Sequence, residues 1–239
     1  MPRLGVLAFG DSITHGGGEL QWGVALQSWA LWVARGLGMP YTSFATDGAT
    51  AHDVAARQLT AFATRSAAPD ATYDLGCLYV GVNDVRARGW DPGLFARDLD
   101  TVHTALAARA QRRLALTIPR DLGRPRAGAK VEEANAIIER RAREHRALVV
   151  DLRGFGARNL LMADHVHPTA FGQVAIARRA LAVLAADGMK VQVDPRALVA
   201  YETTPWRRLR GDATYAYRHA KVSTRAAALA VRARAAGRS

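Results

Sequence analysis

The sequence predicts an α/β fold in which helices flank a doubly wound, parallel sheet of five strands. Short apolar runs alternate with longer helical patterns from the amino terminus to about residue 187. This alternation is typical of repeated βα units around a parallel sheet. The 239 residues can also bury a sizeable core, and α/β domains of this size commonly remain one unit.

Each predicted strand is an apolar run that turn residues bound. The five runs cover residues 4–9, 41–45, 75–82, 114–118 and 148–152. Helical patterns cover residues 22–37, 51–63, 94–109, 130–145 and 170–186. In the first of these helices Trp22, Leu26, Trp29 and Val33 share one stripe, which we interpret as facing the core.

The composition excludes several classes of protein. Hydrophobic residues make up 49% of the chain and charged residues 23%, which are ordinary globular values. No apolar run reaches the roughly 18–20 residues that cross a bilayer. The first strand is predicted only a few residues after Met1, so we expect no signal peptide and a cytoplasmic protein. The lone cysteine, Cys77, permits no intrachain disulfide.

The strongest candidate for chemistry is Ser12, in the segment FGDSITHG of residues 9–16. The apolar run before it predicts a buried strand, and the glycines predict a turn that presents Ser12 at the carboxyl end of that strand. A serine hydroxyl is a weak nucleophile by itself. It needs a base, a group that orients the base, and donors for a developing oxyanion.

His167 is the most favourable base among the seven histidines. Asp164 precedes it by three residues, a spacing at which one turn of chain can bring a carboxylate to the imidazole Nδ1 and leave Nε2 free. Pro168 disfavours helical geometry at His167, so the imidazole can project just before the last helix of the βα pattern. His165 competes in the same segment, but lacks an equally natural orienting carboxylate nearby.

Two further loops follow predicted strands, residues 46–49 (TDGA) and 80–84 (VGVND). The carboxyl ends of parallel strands form the binding crevice, so we expect both loops near Ser12. Gly48 can bring a backbone N–H close to a ligand, and Asn83 can supply a side-chain N–H. With the N–H of Ser12 they would form an oxyanion hole of three donors.

These segments together resemble the four blocks of the SGNH, or GDSL-type, hydrolase family, in the family's order and over about residues 4–187. The blocks are Gly10-Asp11-Ser12, Gly48, Gly81-Val82-Asn83-Asp84 and Asp164-x-x-His167. The G-x-S-x-G elbow of the α/β-hydrolases is absent, because Thr14 stands where its second glycine belongs.

The resemblance implies a three-layer α/β/α sandwich with a flavodoxin-like sheet, and a serine esterase without a metal or other cofactor. It implies that Ser12 is the nucleophile and an oxyanion donor, with Gly48 and Asn83 as the other donors. His167 would act as general base and then acid, oriented by Asp164. We therefore predict a catalytic domain over residues 1–189 and a basic, mainly helical extension over residues 190–239.

The substrate is less specified than the mechanism. The resembled family includes lysophospholipases, thioesterases, arylesterases and sugar deacetylases, so the ester could belong to a small molecule, a lipid or a carbohydrate. Asp11, His15 and Trp90 are candidate substrate contacts, although capping, turn or surface roles stay open for them. Residues 120–128 form a loop rich in arginine, glycine and proline that could be a lid.

The net charge of +12 is concentrated in the extension, where eleven Lys or Arg stand against three Asp or Glu. A helix from Arg218 onward would be basic and amphipathic, so an anionic membrane or another acidic surface is a candidate partner. We do not expect nucleic acid. Two alternatives stay open. The helix packs a weak alanine-rich stripe on the domain, or the whole chain is an inactive hydrolase scaffold that binds an anionic surface, either a membrane or a nucleic acid.

Overall fold

Five parallel strands form one sheet in the computed structural model, which describes residues 4–21, 24–65, 72–201 and 203–236. The strands are β1 (Val6–Gly10), β2 (Tyr41–Ser43), β3 (Tyr73–Tyr79), β4 (Ala110–Leu116) and β5 (Leu148–Val150). Their order is β2-β1-β3-β4-β5. This is the flavodoxin-like order, which places a crevice where the chain reverses direction between β1 and β3. The predicted fold class is confirmed.

Helices cover both faces of the sheet. They are α1 (Ser12–His15), α2 (Trp29–Leu37), α3 (Ala51–Asp53), α4 (Leu59–Arg65), α5 (Val82–Arg86), α6 (Pro92–Arg109), α7 (Lys130–Glu144), α8 (Ala170–Ala186) and α9 (Pro205–Ala236). A π-helical turn, Val54–Gln58, joins α3 to α4, and a 3-10 helix, Pro195–Leu198, follows α8. On one face α2 packs against α8, and on the other α6 packs against α7.

The strand β4 begins earlier than its apolar pattern predicts. Its second to fourth residues are polar, yet two of them, Arg112 and Arg113, pair in register with Leu75 and Gly76 of β3. Their long side chains leave the sheet and bind elsewhere: Arg112 Nε donates to Asp187 Oδ2 at 2.8 Å, and Arg113 Nε donates to the carbonyl oxygen of residue 145 at 3.2 Å. Hydrophobic content alone therefore underestimates the length of this strand.

The first long helix begins later than predicted, at Trp29 instead of residue 22. Ser28 caps it, since its hydroxyl oxygen accepts the N–H of Ala30 at 3.1 Å. The described residues 24–28 are not helical, and Trp22 lies outside the described residues. Trp29 and Val33 are both buried in the core, so their predicted core position is confirmed.

The long helix α9 begins at Pro205, well before the predicted Arg218. Proline suits the first helical position, because the N–H that it lacks would have no partner there. None of the helices in the described ranges combines the length and apolar character that crossing a membrane requires.

Candidate active site

Ser12 lies at the end of β1, on a turn that only glycine allows. Gly10 has a φ of +153°, and a Cβ at that position would lie 2.4 Å from the carbonyl oxygen of Tyr79. Asp11 then caps the short helix α1, as its Oδ1 accepts the N–H of Ile13 at 2.9 Å. The chain thus turns sharply from strand to helix and presents the half-buried Ser12 at the crevice.

A chain of hydrogen bonds joins Ser12 to the two residues predicted to act with it. Ser12 Oγ lies 3.1 Å from His167 Nε2, and His167 Nδ1 lies 2.7 Å from Asp164 Oδ2. The other oxygen of Asp164 accepts the backbone N–H groups of Val166 at 2.9 Å and His167 at 3.1 Å. The carboxylate therefore holds both the imidazole and the backbone that carries it.

The electrostatics favour a charged pair at this position. Burial tends to raise the pKa of Asp164, but the hydrogen bonds from the His167 ring and from two backbone amides hold this pKa below its ordinary value. The hydrogen bond that His167 donates to Asp164 raises the pKa of His167 above 6.5, although burial opposes the change. Asp164 thus stabilises the imidazolium that forms when His167 takes up a proton.

The predicted oxyanion donors stand on neighbouring loops. Asn83 lies in the first turn of α5, and its Nδ2 donates to the carbonyl oxygen of Ala49 at 2.9 Å, which attaches it to the loop of Gly48. That bond uses one of the two amide hydrogens of Asn83. Gly48 is exposed with a φ of +74°, and apart from its chain neighbours no described residue has an atom within 4 Å of the position a Cβ would take. The N–H of Ser12, at the start of α1, has no intrahelical acceptor.

Two buried glutamines that the sequence analysis did not identify hold the turn of Ser12 in place. Gln58, in the π-helical turn, accepts the N–H of Gly10 at 3.1 Å and donates to the carbonyl oxygen of Gly10 at 2.8 Å and to Thr46 Oγ1 at 3.1 Å. It therefore ties the nucleophile turn to the loop that follows β2. A helical pattern around residue 58 carries no signal for a contact with Gly10.

Gln173 performs the same task from the opposite side. Its Oε1 accepts the N–H of Trp29 at 2.8 Å, and its Nε2 donates to the carbonyl oxygens of Ile13 at 3.0 Å and Gly17 at 3.1 Å. Gln173 lies on α8, shortly after His167, and is fully buried. It connects the helix that follows His167 to the helix that carries Ser12.

The structure places Asp11, a candidate substrate contact, beneath the site, and its contact with a substrate stays a prediction. Its side chain is completely buried. Burial raises the pKa of Asp11 to about 7, against the lowering effect of the Ile13 N–H, and its Oδ2 has no hydrogen-bond partner among the described residues. Asp11 is a capping residue under the site.

Asp84 is a second carboxylate beneath the crevice. Burial raises its pKa to about 6, and both of its oxygens accept the N–H of Ala51, at 3.0 Å and 3.2 Å. It joins the start of α5 to the start of α3 and thus connects the loop of Asn83 to the loop of Gly48.

The other two candidate substrate contacts lie on exposed loops. His15 Nδ1 lies 2.9 Å from Asp47 Oδ1, so an exposed pair bridges the loops of Ser12 and Gly48. The indole N–H of Trp90 donates to Glu133 Oε2 at 2.7 Å, and its ring packs against Phe95 with centroids 5.2 Å apart. Contact of His15 or Trp90 with a substrate stays a prediction.

The loop 120–128 is attached to the segment that carries His167. Arg124 binds Asp121 with two hydrogen bonds, at 3.0 Å and 2.9 Å, and its Nη2 lies 3.0 Å from His165 Nδ1. His165 also lies 3.1 Å from Asp121, so it does have a carboxylate neighbour, which the sequence analysis did not foresee. That neighbour comes from a distant loop, and the ring bonded to Ser12 is His167. Within the described ranges, no group of three or more His, Cys, Asp or Glu is arranged to hold a metal ion.

Comparisons with known proteins identify the family of the chain and structures of similar fold. Residues 8–175 match the model of the GDSL-like lipase/acylhydrolase family. A search of curated protein sequences finds no match.

Solved structures of similar fold include a catalytic mutant of an acetylxylan esterase from Geobacillus stearothermophilus. It is 19% identical, and the alignment covers 79% of this chain and 96% of that one with a TM-score of 0.62. The structure of TesA is 22% identical, and the alignment covers 75% of this chain and 97% of TesA with a TM-score of 0.59. An extracellular lipase from Streptomyces rimosus is 24% identical, with 76% and 98% covered and a TM-score of 0.54. At these identities the likeness is one of fold.

Proposed function

The chain belongs to the GDSL-like lipase/acylhydrolase family and hydrolyses esters, and we propose that Ser12, His167 and Asp164 are its catalytic triad. The observation that carries the proposal is the continuous hydrogen-bonded chain from Ser12 Oγ through His167 to Asp164, at the carboxyl end of β1. A nucleophile, a base and an orienting carboxylate in that geometry are the requirements of acyl transfer.

The reaction has two halves. His167 Nε2 takes the proton of Ser12 as Oγ attacks the ester carbonyl, and the N–H groups of Ser12, Gly48 and Asn83 bind the oxyanion that forms. His167 then gives the proton to the leaving alcohol. Water attacks the acyl-enzyme with the same base, the acid leaves, and Ser12 recovers its proton. Asp164 stabilises the charged imidazole in both halves and stays ionised, in agreement with its lowered pKa.

Two classes of ester are the main candidates. The exposed pair of His15 and Asp47 beside Ser12 offers polar groups to a sugar, which favours a carbohydrate O-deacetylase. The basic helix α9 favours an ester of a lipid or thioester type, as in a lysophospholipase or thioesterase. Hydrolysis rates on acetylated sugars, lysophospholipids and acyl thioesters would separate the two classes. The preferred class should be hydrolysed faster than the other by several orders of magnitude.

The decisive experiment is Ser12→Ala. Without the nucleophile, kcat on a short chromogenic acyl ester should fall by about a millionfold, and labelling by a serine-directed phosphonate should disappear. Ser43→Ala, at an exposed serine at the end of β2, is the matched control and should change neither. Retained turnover in Ser12→Ala would refute the assignment. Absence of turnover and labelling in the unaltered protein would instead favour the inactive scaffold.

We assign the catalytic role to residues 1–189 and a separate role to the extension, residues 190–239. The extension supplies none of the proposed catalytic groups and carries most of the net positive charge. We propose that it meets an anionic partner.

A further inference from the structure

The helix α9 is held on the two loops that carry the catalytic residues. Arg218 Nη1 donates to Glu19 Oε1 at 2.6 Å, and Glu19 lies on the loop that follows the nucleophile helix α1. Asp212 forms an ion pair with Arg158. The ring of His219 lies 5.4 Å from that of His165, which stands between Asp164 and His167. The inner side of α9 is therefore attached at the edge of the active site.

This attachment is mostly polar. The partly buried residues of α9 include Tyr215, His219, Val222 and Ala226, which are spaced along one helical stripe. Beneath the first half of the helix a cavity of 590 Å³ remains, lined by Arg207, Arg208 and residues of both loops. The apolar residues of α9 thus contribute little to the core of the domain.

Large apolar side chains stand on the opposite, outer side of α9. Trp206 is 76% exposed, Leu209 57% and Tyr217 69%. An α-helix turns by 100° per residue, so these three positions lie within one arc that faces away from the inner stripe. Ala213 and Ala220 lie in the same arc. A contiguous exposed apolar surface of this kind marks a contact with a partner or a membrane.

Positive charge borders this apolar surface. Arg210, Lys221, Arg207 and Arg225 follow it around the helix, and residues 205–229 contain six Lys or Arg against the single Asp212. Apolar residues beside a row of arginine and lysine are the pattern of helices that lie in the surface of a membrane.

We propose that α9 is an interfacial anchor that binds the surface of an anionic lipid bilayer. Trp206, Leu209 and Tyr217 enter the headgroup region, and the flanking arginines and lysine bind lipid phosphates. Charge selects this partner over a second copy of the chain, because pairing two copies of α9 would bring two positive surfaces together. The exposed aliphatic side chain of Leu209 favours lipid over nucleic acid, because binding to a phosphate backbone uses positive charge and gives no role to such a side chain. If the proposed function holds, the anchor also keeps the Ser12 edge of the sheet at the lipid–water interface.

The test measures binding of the full chain to sedimented vesicles of phosphatidylcholine with and without phosphatidylglycerol. The unaltered protein should bind only the anionic vesicles, and more weakly as salt increases. The double variant Arg210→Gln/Lys221→Gln should bind about fivefold more weakly per charge removed. The double variant Trp206→Glu/Leu209→Glu should lose binding.

The matched control for charge is Arg97→Gln/Arg140→Gln, which removes two exposed arginines from α6 and α7 and should bind as the unaltered protein does. Three results would overturn the proposal. They are an equal loss of binding in the control, no loss of binding in either α9 variant, and binding to duplex DNA without binding to anionic vesicles. Circular dichroism checks that each variant keeps its helix content.

Esterase activity separates this proposal from the catalytic one. Ser12→Ala should bind vesicles like the unaltered protein, and the outer-face variants should hydrolyse a soluble short ester at the normal rate. If the catalytic proposal fails, vesicle binding should stay intact. If the anchor proposal fails, hydrolysis of the soluble ester should stay intact.

Discussion

The substitution Asp164→Asn isolates the electrostatic contribution of the proposed triad. The oxygens of Asp164 have separate partners, since Oδ1 accepts two backbone N–H groups and Oδ2 faces His167 Nδ1 at 2.7 Å. Asparagine keeps the shape and the Oδ1 acceptor, so the segment should keep its conformation. Its amide group would donate to Nδ1, which places the imidazole proton on Nε2. That nitrogen faces Ser12 Oγ and could no longer accept the serine proton.

The expected loss in kcat is about 10⁴-fold, as for the corresponding change in a serine protease triad. At 1.36 kcal/mol for each factor of ten, this corresponds to about 5 kcal/mol of transition-state stabilisation. Most of the change should appear in kcat, because Asp164 touches His167 and not the substrate. The assay is steady-state hydrolysis of a short chromogenic ester. Asp187→Asn, which removes an exposed carboxylate bound to Arg112, is the control.

The pH profile gives an independent readout. The hydrogen bond that His167 donates to Asp164 raises the pKa of His167 above 6.5. Only neutral His167 can act as the base. In the unaltered enzyme kcat/KM should therefore fall as the pH decreases through that raised pKa. Without the carboxylate the pKa decreases, and the acidic limb of the residual activity should move to lower pH. A rate within tenfold of normal, or an acidic limb that does not move, would refute the reasoning.

Two further substitutions probe the oxyanion hole and its support. Asn83→Ala should reduce kcat by about 10²–10³-fold with little change in KM, because the amide binds charge that develops in the transition state; a change in KM alone, or an equal loss in the exposed-site control Asn159→Ala, would contradict this. Gln173→Leu leaves three backbone groups without their partner, each costing about 1–3 kcal/mol. The free energy of unfolding, measured in urea, should fall by about 3 kcal/mol or more. The control Gln111→Leu, on the surface of β4, should show no comparable loss. A loss under about 1 kcal/mol would show that water replaces the side chain.

Local patterns predicted the elements of the fold but not their ends. The strand β4 begins at Ala110 and includes Arg112 and Arg113, because pairing with β3 satisfies their backbone hydrogen bonds independently of their side chains. The helix α2 begins at Trp29, because Ser28 and the distant Gln173 accept the N–H groups of its first turn. In both cases a partner far along the chain decides where regular structure begins.

The candidate site divides in the same way. The spacing of Asp164 and His167 and the glycine turn before Ser12 are local features, so the sequence alone determined which residue types could form a site, and in what order. Only the tertiary structure decided that Ser12 meets His167 across 155 residues and that Gln58 and Gln173 hold the turn of Ser12. It also decided that Asp11 is buried beneath the site. The physical reason is that sheet order and helix packing, set by burial of the whole core, bring these distant groups within hydrogen-bonding distance.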